Sequence, residues 1–306
     1  MHRGFCVPSA VLAERRDSPC RGVANRKMPG RNEKQISMSD KRILFISEEI
    51  APYVPGRELA DFSRKLAENA HSQKYEVRTF MPKYGTVNER RNQLHEVIRL
   101  SGMNLIIDDN DHQLIIKVAS IPSARIQIYF IDNDDYFARK AVLLDADGKA
   151  FADNDERAIF FARGVLETVR KLNWAPTVVH CMGWMSAVVP IYLKKVFNDD
   201  PLFRDVKIVV TLADDRFDEP LDAQFAEKIA NEGVKDEKLS ILSTPSYENL
   251  YRFVIDYADG ITVASPKASP ELVEYARQSG KPVLEYREPD EEDFFDNYNR
   301  FYEELQ

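Results

Sequence analysis

Cysteine is scarce in this chain. Cys6, Cys20 and Cys181 are the three in 306 residues, too few for a disulfide framework and without metal-ligand spacing. That usage suits a reducing compartment, so a cytoplasmic protein is expected. Long apolar runs are missing too. None approaches the ~18 residues of a membrane span, so no membrane partner is expected. Positive charge is in deficit, with 42 Lys and Arg against 50 Asp and Glu, a net of −8. Phosphate contacts need clustered Lys and Arg, so nucleic acid is not expected as a partner. A neutral polysaccharide remains compatible with this charge. There is no G-x-G-x-x-G, no P-loop and no readable Ser-His-Asp or Cys-His pattern, and no cofactor or metal is expected.

What is present is a chain 44% apolar and 30% charged, able to bury a real core. Residues 1–37 stand apart, with eight basic and three acidic residues and no hydrophobic periodicity. They read as a disordered extension from an upstream start codon or as an Arg-rich targeting peptide, the former favoured because "MSDKRILFIS" looks like a natural beginning. From Lys41, strand-like and helix-like segments alternate. "RILFIS" and "YEVRTFM" read as strands around a helix over 57–71, with Leu59, Phe62, Leu66 and Ala70 on one face. A β-rich stretch follows, including "QLIIKVASI" and "IQIYFI". Next come a long helix over 155–172, a strand "TVVHCM", a helix "WMSAVVPIYLKKVF" and a strand "VKIVVTLA". A helix around "ENLYRFVIDYA", a strand "GITVAS", a helix "SPELVEYARQSG" and a strand "KPVLEY" complete the series. Such alternation predicts an α/β fold, a Rossmann-like parallel sheet with helices on both faces, over 38–286. Residues 287–306 form an acidic, aromatic-faced C-terminal helix.

Five segments in order, "KRILFISEEIAPY", "MPKYG", "DNDDYFAR" with "DNDERAIFFARGVLE", "PTVVHCMGWMSAVVPIYLK" and "YADGITVASPKASPEL", resemble the N-terminal half of bacterial glycogen and starch synthases. Those are retaining glucosyltransferases that extend α-1,4-glucans from ADP- or UDP-glucose. The resemblance implies the first of two Rossmann-like domains of a GT-B architecture, the one that holds most of the acceptor glucan.

The resemblance also exposes departures. The family's first loop reads Lys-x-Gly-Gly-Leu-Ala-Asp, whose glycines and lysine approach donor phosphates. Here Leu59, Ala60 and Asp61 match, but the lysine is Pro55 and the glycines are Arg57 and Glu58. In the family's His-x-His-Asp-Trp-His, His180 and Trp184 match. The inner, active-site histidine is Met182, whose thioether cannot donate a hydrogen bond; the Asp is Gly183 and the last histidine Met185. In the third loop Ala213 and Asp214 replace His and Asn. The chain also ends about thirty-five residues after the last matching segment, without the family's nucleotide-sugar domain. The expectation is a domain that has lost glucosyl transfer and acts through α-glucan contacts or protein association. Half of a split glucosyltransferase is the remaining alternative.

Tyr53, Asp61, His180 and Trp184 are the candidate glucan contacts, against the alternative that His180 and Trp184 are ordinary core residues. "DADGKAFADNDE" has a calcium-loop outline but lacks glycine at its sixth position, and "DNDD" reads as a turn. Phe294, Phe295, Tyr298, Phe301 and Tyr302 line one helical face. That face is expected to cap the domain or, alternatively, to bind a protein partner.

Overall fold

The computed structural model describes residues 41–289 and 293–306. The expectations for 1–37, with Cys6 and Cys20, fall outside these residues. The first strand, β1 (Arg42–Ser47), is buried from its second residue on. It pairs in parallel with β2 (Glu76–Pro82) on one side and β7 (Val178–Met182) on the other. Beyond β7 lie β8 (Lys207–Leu212), β9 (Gly260–Val263) and β10 (Val283–Leu284), all parallel. Beyond β2 lies β6 (Ile126–Asp132), also parallel. The sheet then turns antiparallel through β5 (Asn110–Ile121), which carries β3 (His95–Glu96) and β4 (Met103–Ile107). The order β10-β9-β8-β7-β1-β2-β6-β5-β3 runs outward in both directions from the β1–β7 pair. That pair is the switch point, where crossovers leave in opposite directions and a crevice opens at the carboxyl ends of the strands.

Helix α1 (Glu58–Ser72) buries Leu59, Phe62, Leu66 and Ala70, as its spacing predicts. It covers the sheet face carrying Phe45. Register places Phe45 beside Thr79, and Thr79 beside Ile128. Ile131, three residues further along β6, therefore points to the opposite face. There it meets α3 (Asn154–Leu172), which approaches closely because Gly164 has no side chain; a Cβ would sit 2.9 Å from Ile131. The predicted helix over "WMSAVVPIYLKKVF" is split. Pro190 is tolerated only in a first helical turn, so a 3₁₀ turn at Trp184–Ser186 precedes α4 (Val189–Lys195). α6 (Tyr247–Tyr257) and α7 (Pro270–Gln278) fall where periodicity puts them. The short α2 (Asp134–Phe137) and α5 (Phe225–Asn231) were not foreseen. In α2, Asn133 of "DNDD" is the N-cap, accepting from the amides of Asp135 and Tyr136.

The last helix, α8 (Phe294–Leu305), lies beside α1 on the Phe45 face. Phe294, Tyr298, Phe301 and Tyr302 are buried there. Phe62 meets the rings of Phe294, Phe295 and Tyr298 at centroid distances of 5.5–6.5 Å. Gly260 lets the helix sit directly on β9, because a Cβ would stand 2.8 Å from the Phe301 ring. The aromatic stripe is thus a cap on its own domain. The alternative of a partner-binding face is corrected: four of its five rings are already out of water, and Phe295 is half-buried against Phe62.

Candidate functional site

The loops after β1, β7 and β8 meet at the switch point. Gly183 follows β7 with φ +83°, and a Cβ on it would lie 2.6 Å from that of Glu48. The contact explains why the family's Asp is absent here: no side chain fits between the two loops. Glu48 is fully buried and accepts from the Met185 amide at 3.3 Å. Glu49 is also buried, and Arg57 Nε lies 2.7 Å from its Oε2 and 2.8 Å from its Oε1. An Arg57 terminal nitrogen stands 3.9 Å from Glu48. Burial works against the Arg57 charge, but the two glutamates outweigh it and hold its pKa above the usual value. Arg57 is therefore committed to these carboxylates, which restrain it from offering a phosphate the site that the family's loop provides. Pro55 and Glu58 are exposed.

Burial makes these carboxyl groups resist ionisation. Burial, with the nearby charges of Glu49 and Asp215, pushes Glu48 well above the usual carboxyl range. Burial also lifts Glu49 to about 7, against the pull of Arg57. Asp215, just past β8 and 3% exposed, is raised to about 6 by burial although the Tyr247 and Tyr251 hydroxyls donate to it.

Asp215 reaches a cavity of about 400 Å³ that is also lined by Trp184, Phe217, Arg57 and Leu144. Trp184 meets Phe217 edge-on at 5.1 Å, and Phe217 meets Tyr247 at 5.5 Å. Phe217 is partly exposed and Leu144 is 50% exposed, so the lining presents an aromatic and an aliphatic side chain to solvent. The Leu144 hairpin is anchored by buried Arg157, which donates to the carbonyls of Val142 and Tyr136 and to Asn154. Asp145, first residue of the calcium-loop outline, takes the amides of Asp147 and Lys149 at 2.9 Å. Its carboxylate closes a turn.

Of the four predicted glucan contacts, only Trp184 borders this cavity. It is 2% exposed, so it forms wall rather than open platform. His180 is corrected to a core residue. It is wholly buried, with Nδ1 2.7 Å from the Tyr302 hydroxyl and Nε2 2.6 Å from Thr211 Oγ1. Burial drops its pKa to about 3, so the ring is neutral and unavailable to a sugar. Tyr53 is buried edge-on against Phe130 at 4.9 Å, again packing. Asp61 is exposed on α1, outside the cavity lining. Met182 is buried, and the Ser63 hydroxyl donates to its sulfur at 3.6 Å, so this position too has become core. His112 contacts the Tyr136 hydroxyl at 2.9 Å and Asp135 at 3.0 Å. Cys181 is buried and its thiol pushed up by burial. Asp215 and Phe217 were missed, although they follow Ala213 and Asp214 directly.

Among the described residues no helix is long and apolar enough to cross a membrane. Residues 42–285 match the family profile described as the starch synthase catalytic domain. The glycogen synthase of Chlorobium luteolum is 32% identical over 239 residues, covering 78% of this chain and 48% of that protein. The glycogen synthase of Chlorobium limicola is 39% identical over 172 residues, covering 56% and 35%. The chain spans about half or less of the length of these curated relatives. Among solved structures, the catalytic domain of starch synthase IV from Arabidopsis thaliana, described as bound to ADP and acarbose, superposes with a TM-score of 0.65. It is 16% identical and covers 81% of this chain and 51% of that one, which supports the fold alone. With the profile spanning β1 to β10, the chain belongs to the starch synthase catalytic domain family, as a domain resembling the N-terminal half of a GT-B glycosyltransferase.

Proposed function

We propose that this chain is a glycogen/starch synthase-like domain that binds α-glucan without transferring glucose itself. The observation that carries the reading is the cavity at the β1–β7 switch point. A sugar ring presents a flat C–H face to Phe217 and hydroxyl donors to Asp215, and both side chains border the same opening. Its loss of catalysis rests on three substitutions in place. Pro55 has no N–H or charge to offer a phosphate, Arg57 is held by Glu49, and Met182 is buried where the family has its histidine. A solved starch synthase catalytic domain of this fold is described as bound to ADP and acarbose, and a glucan ligand for this chain is proposed on that likeness.

Calorimetric titration of the full chain with maltoheptaose and with ADP-glucose tests this reading. Heat from the glucan, none from the nucleotide sugar, and a loss of at least about fivefold in affinity for Phe217→Ala are expected. Glucosyl incorporation into glycogen by the purified chain would overturn it.

A further inference from the structure

The charge around the cavity is one-sided. Asp215, Asp218 and Glu219 line it against Arg57 and Arg216. Both arginines are already paired with carboxylates from outside the lining, Arg57 with Glu49 at 2.7 Å and Arg216 with Glu248 at 2.9 Å. Buried Glu48 stands behind Arg57. Each lining cation therefore has a carboxylate partner, and Arg216 also stands 3.9 Å from Asp218, whose side chain is 98% exposed on the rim. A phosphate entering here would meet carboxylates and compete for claimed guanidinium groups. A positive charge would meet the reverse, with the partly exposed ring of Phe217 adding a cation–π face.

We propose that the cavity takes carbohydrate bearing a protonated amine in preference to neutral sugar, and rejects phosphorylated sugar. This rests on the reading of the cavity as a carbohydrate site and adds the charge of its ligand.

The test uses the full chain with glucose, glucosamine, glucose phosphate and maltotriose, following the Trp184 indole N–H resonance by NMR. The Trp184→Phe variant distinguishes that resonance from Trp174. Glucosamine is expected to bind about tenfold tighter than glucose at low salt, a ratio that shrinks as salt rises. Glucose phosphate should bind at least about tenfold more weakly than glucose. The double variant D218N/E219Q, on the exposed rim where folding is not at stake, should lower the preference for glucosamine over glucose. Binding of maltotriose with glucosamine no tighter than glucose overturns the charge preference while the carbohydrate reading stands. Silence from every sugar overturns both.

Discussion

Replacing Glu49 with Gln should flatten the pH dependence of stability. A carboxyl whose folded pKa exceeds its unfolded value holds its proton more tightly in the folded state. The stability it contributes is fully present below about pH 4.5 and is lost as pH rises through the folded value, here about 7. At ~1.4 kcal/mol per tenfold change in proton affinity, the whole interval corresponds to about 3 kcal/mol. Between pH 5 and pH 8 about 2–3 kcal/mol of it is in play. Gln has similar shape and no titration. Removing the Glu49 charge also relieves Glu48, which moves the difference in the same direction. Urea unfolding of both proteins at pH 5 and pH 8 gives the answer. Wild type should lose at least about 2 kcal/mol more than Glu49→Gln across that range. Equal losses would refute the argument, because Glu49 would then be ionised at little cost. Asp215, raised to about 6, leaves a smaller slope in the variant at lower pH.

Gly260→Val should push α8 away from β9, because its first added atom already lies within 2.9 Å of the Phe301 ring and of Leu305. A cost of about 1–3 kcal/mol and faster proteolysis after residue 286 are expected by limited digestion. Tyr302→Phe removes the hydroxyl partner of buried His180 Nδ1, and should cost about 1–3 kcal/mol by thermal unfolding while leaving glucan binding intact.

Much of the fold is readable because its signals are local. Apolar runs of four to six residues mark β1, β7, β8 and β9, and the stripe of α1 follows from its own spacing. Pro190 could have warned that one helix would be split. The site is less readable because its side chains choose partners far along the chain. His180 matches the first histidine of the family motif, yet its fate is decided by Tyr302, 122 residues away. Arg57 looks like a replacement cation until Glu49, eight residues earlier, is seen to claim it. Asp215 and Phe217 follow a strand end already recognised as a ligand loop. Only burial and distance separate them from exposed Asp214, whose carboxylate meets Lys267 at 3.2 Å.

The seat of α8 also constrains the order of assembly. Asn69 meets Asn299 at 2.6 Å, Lys41 meets Glu303 at 2.5 Å, and Phe45 and His180 lie under Tyr302. Apart from the His180 contact, they join the first strand and helix to a segment more than 200 residues later. Until that segment has left the ribosome, Phe62 and the central strand pair keep an uncovered apolar face. Such distant closure slows folding and exposes the nascent chain to association with other apolar surfaces. During synthesis, the half-made domain is the form most in need of a chaperone.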